Sequence, residues 1–117
     1  MNTYLLYTAG IDYKDGLNRF VKDEEVYNDA LRLFINNDNI KKLEQAIEAG
    51  NISVAYEYAH ALKGESGTLS AAKMYKDILP LVEALKAGKS ENIEEMFQKV
   101  KEDYNTAVEA IKSEVGI

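Results

Sequence analysis

The stretch that decides the fold is "ENIEEMFQKVKEDYNTAVEAIKSEV", residues 91–115. Its apolar residues are Ile93, Phe97, Val100, Tyr104, Val108, Ile111 and Val115, spaced by steps of three and four. That spacing predicts a long helix, starting after Ser90, with one side packed along its whole length. The same period recurs upstream. Tyr27, Ala30, Leu31 and Phe34 share a face behind Asp23, a residue type that caps helices. Ile40, Leu43 and Ile47 resume a face after "NNDN" (36–39), where Asn and Asp compete for backbone hydrogen bonds and predict a kink or break; Gly50 then predicts a stop. Asp12 predicts a cap for a short helix reaching about Phe20, with Leu17 and Phe20 inward. A helix from Asn51 or Ser53 to about Leu69, and one over roughly 71–87 with Pro80 kinking or dividing it, complete the pattern. Almost no segment alternates like a strand. Helices joined by short loops predict an all-α domain spanning 1–117: an antiparallel, up-down four-helix bundle with a short accessory helix at its N-terminus.

Composition narrows the function. The net charge of −6 argues against nucleic acid or an anionic membrane as the main partner. No cysteine is present, which removes disulfides, thiolate metal sites and cysteine nucleophiles. No apolar run is long enough to cross a membrane, and "NTYLLYTAG" after Met1 lacks the basic start of a secretion signal, so a cytoplasmic protein is expected, with a monomer as the default. The eight tyrosines, mostly at core spacing, are read as packing.

The chain's one histidine stands in "YAHALKGESGTL" (58–69). At about 100° per residue, Ala55, Leu62, Ser66 and Leu69 form the core side, flanked by Tyr58 and Ala59, and His60 points away from them into solvent. Tyr56, Lys63, Gly64 and Gly67 fall within about 60° of it. Imidazole offers a neutral nucleophilic nitrogen near neutral pH. Lys63 can set an ammonium beside a phosphoryl group on that nitrogen. Gly64 costs about 1 kcal/mol in helix propensity relative to alanine but removes bulk beside the histidine, and Gly67 clears the same face a turn later. The plain alternative is an ordinary surface histidine. A metal site finds no ligand spacing, and a Ser-His-Asp arrangement is not supported, since Ser66 falls on the core side.

"AHALKGESGTLSA" (59–71) resembles the signature of histidine-containing phosphotransfer (HPt) domains: histidine, lysine three residues on, glycine four on and a small residue six on, here His60, Lys63, Gly64 and Ser66. Upstream, "GLNRF" (16–20) and the following Tyr and Leu-x-x-Phe resemble the family's opening; "LVEALKAGKSENI" (81–93) resembles its late segment. Nearly the whole chain is covered. The family usually has glycine ten residues after the histidine, where Ser70 stands here. The resemblance implies a four-helix bundle and a phosphorelay intermediate without kinase activity of its own. It implies that His60 takes a phosphoryl group from a receiver domain's phospho-aspartate and passes it to another receiver, with Lys63 stabilising the transferring group and Tyr56, Gly64 and Gly67 in contact with the partner. The implied partners are response-regulator receivers and a hybrid histidine kinase; Mg²⁺ would sit on the receiver, and this chain would hold no cofactor. Two alternatives stand beside this: the amino-terminal phosphotransfer domain of a chemotaxis-type kinase, and a helical adaptor that docks partners without chemistry.

Overall fold

Side chains set several of the helix starts. In the computed structural model, which describes residues 1–117, Asn2, Asp12, Asp23 and Asn51 each accept hydrogen bonds from backbone N–H groups of the turn that follows. Each satisfies donors that a helix leaves unpaired at its N-terminus. The result is seven helices and no strand: α1 (Thr3–Thr8), α2 (Tyr13–Arg19), α3 (Glu24–Asn36), α4 (Asn39–Glu48), α5 (Ile52–Thr68), α6 (Ala72–Lys86) and α7 (Ile93–Glu114). No helix is long and apolar enough to cross a membrane.

The break at "NNDN" is real: Asn37 adopts an extended backbone between α3 and α4. Its side-chain amide, with that of Asn39, donates to the Glu65 carboxylate of α5, so the junction is pinned to the histidine helix. Gly50, at φ +69°, ends the turn after α4 as expected. Pro80 does not divide its helix, since α6 runs unbroken from Ala72 to Lys86. Pro80 and Lys76, whose carbonyl loses its usual N–H partner, both lie on the exposed side, where that carbonyl is open to solvent. Two expectations need correction. The start of α7 is capped not at Ser90 but at Asn92, which takes a left-handed conformation at φ +61° without a side-chain cap bond. And α1 precedes the expected N-terminal helix; in its two turns only Leu6 is buried, too little apolar spacing to mark a helix in sequence.

The packing follows the stripes. Helices α4, α5, α6 and α7 contact one another in a closed ring, α4 on α5, α5 on α6, α6 on α7 and α7 on α4. Helix α3 packs on α7 and on α2, and α1 on α2 and α7, where the Asn2 N–H also donates to Glu114 at 2.7 Å. From the α7 stripe, Ile93, Phe97, Val100, Tyr104 and Ile111 are buried, and Val108 and Val115 pack at its margin. The tyrosines divide more than expected. Tyr13, Tyr27 and Tyr104 are core, while Tyr4 and Tyr7 of α1 are 70% and 64% exposed and are not packing residues.

Two acids are buried between α6 and α7. Lys73 lies 2.8 Å from Asp103 and 3.3 Å from Asp77, and Lys99 lies 3.5 Å from Asp77. Burial pushes the Asp103 carboxyl above the usual range, and Asp77 beside it adds to the rise. Asp77 is held below its usual range, first by Asp103 and then by Lys73. Asp103 Oδ2 meets no donor in the chain. A proton shared between the two carboxyls accounts for both directions. Asp103 therefore contributes stability that is present below the ordinary aspartate pKa of about 3.9 and is lost as pH rises through its raised folded value. Asp77 contributes the reverse, lost as pH falls through its depressed value. Asp103→Asn keeps a donor and removes the titration, so its stability relative to the parent should improve as pH rises from about 4 toward 7. Urea denaturation across that range reads it; a pH-independent difference would refute proton sharing.

Candidate functional site

Helix α5 buries Ala55, Ala59, Leu62 and Ser66 and leaves His60 exposed, as the wheel requires. Ser66 does not address His60: it is fully buried, and its hydroxyl donates to the Lys63 carbonyl at 3.1 Å. The Tyr56 ring, one turn before, lies 5.7 Å from the imidazole between centroids at a 43° tilt, and so limits the ring's freedom on one side. Lys63, one turn after, has no carboxylate within ion-pair distance, although the chain carries twenty acidic residues. Its ammonium is a cation without an internal counter-ion beside an exposed imidazole.

The two glycines differ. A Cβ placed on Gly64 would meet nothing within 4 Å, so this position is open to an approaching surface. A Cβ on Gly67 would sit 3.0 Å from Cε1 and 3.2 Å from Cδ1 of Tyr75, a residue of α6. Gly67 thus seats the Tyr75 ring against α5 as well as lying on the histidine's face.

Helix α5 ends in a Schellman turn: the Ala71 N–H donates to the Ser66 carbonyl at 2.9 Å and the Ser70 N–H to the Gly67 carbonyl at 3.3 Å. Ser70 takes the left-handed position at φ +56°, a conformation glycine adopts more readily. Its hydroxyl donates to Asp15 of α2 at 2.6 Å, and its carbonyl accepts from the Asp12 N–H at 2.9 Å. These bonds offset the strain and tie α2 to the end of the histidine helix. The Ser70 hydroxyl, followed by Arg19, holds the Asp15 carboxyl below its usual range.

His60, Lys63, Gly64, Gly67 and Thr68 of α5 form one shallow depression of about 300 Å³ with Arg19 of α2 and Tyr75 of α6. Tyr56 stacks near His60 but does not line the depression. Sequence spacing on α5 finds the first group and misses Arg19 and Tyr75. They arrive from other helices, and the only sequence sign of either is the "GLNRF" block that contains Arg19. No group of three or more His, Asp or Glu side chains converges as a metal site would require. Chemically, the depression offers one exposed nucleophilic imidazole and two cations in reach of the same small volume, the combination that suits a tetrahedral anion carried on nitrogen. No family model matches the chain, and neither a curated protein nor a solved structure matches it significantly.

The contrast between the glycines is measurable. Gly64→Ala should stabilise the chain by about 0.5–1 kcal/mol, because it restores helix propensity in open space. At Gly67 the same gain is opposed by overpacking against Tyr75, so Gly67→Ala should be destabilising by about 1 kcal/mol. Chemical denaturation of the two variants checks this, and equal effects of one sign would contradict the seating of Tyr75.

Proposed function

We propose that this protein is a phosphotransfer module of the histidine-containing kind. His60 accepts a phosphoryl group from an aspartyl phosphate on a receiver domain and returns it to another receiver. The observation that carries this reading is the exposed imidazole of His60 beside an ammonium without an internal partner, with Gly64 leaving the approach open. The ring of contacts among α4–α7 supports, and does not by itself establish, an antiparallel four-helix bundle, to which α1–α3 would be the N-terminal addition. Receiver domains and a hybrid kinase would be the partners, met by a monomer in the cytoplasm, and the chain would supply no kinase activity or cofactor of its own.

In the step itself, the Nε2 lone pair of neutral His60 attacks phosphorus in line with the acyl-phosphate oxygen. The Nε2–P bond forms as the P–O bond to the receiver's aspartate breaks, and that carboxylate leaves with the electron pair. The Nδ1 proton of the resulting imidazolium then equilibrates with water. Transfer of this kind depends on positioning and charge neutralisation more than on covalent assistance. Lys63 neutralises the equatorial oxygens from one turn away. The receiver would bring its own Mg²⁺ to the shared centre.

The test is phosphoryl acceptance from a receiver charged with a small phosphodonor and Mg²⁺. The parent chain should gain an acid-labile, base-stable label that His60→Gln loses completely at unchanged helical content. Lys63→Ala should slow transfer about tenfold, equivalent to about 1.4 kcal/mol of transition-state stabilisation, while receiver binding persists. A labelled His60→Gln chain sinks the assignment. Label that appears only with a kinase domain and ATP would place the chain in a kinase instead, and binding without label would make it an adaptor.

A further inference from the structure

Arg19 is not one of the residues that spacing on α5 brings to His60, yet it lines the same depression from α2. How it is held matters. Its Nε donates to Asp15 at 2.8 Å, and Asp15 in turn accepts from the Ser70 hydroxyl at 2.6 Å, where α5 ends. The guanidinium is thereby referenced to the histidine helix through two short hydrogen bonds rather than left to swing on a free stem. The bond uses Nε and leaves both terminal nitrogens without any hydrogen bond in the chain. A guanidinium gripped in this way presents its end-on fork, the geometry that binds two oxygens of a phosphoryl group at once. Stability alone is a weak reason for the arrangement, because Arg19 and Asp15 are each about half exposed and pairs of that kind contribute little.

We propose that Arg19 is a second phosphoryl-binding residue of the His60 site, its Nη1 and Nη2 gripping two non-bridging oxygens of the group carried on His60. This rests on the reading of His60 as the acceptor. Lys63 supplies a point charge from within α5, and Arg19 supplies a planar, bidentate contact from a different helix. The two together fix the group's orientation as well as its charge. Asp15 is the positioning residue: it holds Nε on the side away from the fork, and Ser70 holds Asp15.

The test separates this inference from the reading beneath it by using phosphoramidate, which needs no receiver. Its P–N bond breaks, ammonia leaves and the phosphoryl group passes to the imidazole. On ¹⁵N-labelled full-length protein, labelling of His60 should shift the Arg19 side-chain resonances and slow rotation of its guanidinium, with no such change in His60→Gln. Arg19→Gln should retain the parent's helical content and thermal midpoint but accept phosphoryl groups from a charged receiver about tenfold more slowly, and Arg19→Lys should recover part of that loss. Arg19 resonances that stay still on a fully labelled chain, or an Arg19→Gln rate within about twofold of the parent, overturn the inference and leave the His60 reading standing. Failure of phosphoramidate to label His60 overturns both.

Discussion

The buried hydroxyl of Tyr27 donates to the Leu69 carbonyl at 2.7 Å, and the rest of the site depends on that bond. Leu69 is the C-cap of α5, so the bond fixes where the histidine helix ends relative to α3. Tyr27 is fully buried, and its ring lies 5.0 Å from that of Tyr13 and 5.1 Å from that of Phe20, between centroids. Both neighbours belong to α2 or its cap, so one phenol joins three helices. Burial pushes its hydroxyl well above the usual tyrosine range, which favours the protonated, donating form. Gly16 completes the constraint: a Cβ there would overlap the Tyr27 hydroxyl and ring. Helix α2 can lie against α3 only because this residue has no side chain.

The consequence travels to the surface in two steps. With α2 seated on Tyr27, Asp15 reaches the left-handed Ser70, and Arg19 four residues later reaches the depression beside His60. On the other flank, the Glu65 carboxylate gathers Asn37 and Asn39, which sets the α3–α4 break against α5. The exposed histidine therefore stands on a helix braced at several points by buried or half-buried polar contacts. Bracing of this kind suits the proposed phosphotransfer role, since a group-transfer step loses rate steeply with small errors of placement.

Much of this is legible in the sequence wherever a single helix decides the matter. The three-and-four spacing from Ile93 to Val115 gives the buried side of α7, and the wheel through Ala55, Leu62 and Ser66 gives the direction of His60. Asp12, Asp23 and Asn51 cap where short polar residues before apolar periods say they should. What sequence did not disclose involves two or more helices. Gly67 reads as clearance on one face until Tyr75 arrives from α6. Arg19 stands in the sequence only as part of "GLNRF"; Asp15 and Ser70 are what place it beside the histidine helix. Nothing in the sequence singles out Asp77 or Asp103, and only the packing of α6 on α7 buries them together. Asn92 displaces Ser90 as the start of α7 because a left-handed turn, which asparagine tolerates, redirects the chain there.

Charge is the point where the global and local readings must be reconciled. A chain of net charge −6 repels polyanions at a distance, yet the proposed ligand is a small anion. No acidic residue lines the His60 depression, although Asp15 pairs with Arg19 at its edge. Glu44, Glu48, Glu94, Glu95 and Glu102 gather on α4 and α7, around a separate hollow that shares no residue with the His60 depression. At physiological salt, exposed charges are largely screened beyond about 8 Å, so a phosphoryl group in the depression responds mainly to what lines it. What lines it is an ammonium without an internal partner and a guanidinium whose fork is free. Overall negative charge therefore opposes long nucleic acids, whose many phosphates sample the whole surface, while a single phosphoryl group carried on His60, as proposed, would meet the unpaired Lys63 and the free fork of Arg19. Under the proposed function, delivery by a docked partner would place the group beside the Lys63 and Arg19 side chains that line the depression, within the range where screening leaves their charge effective.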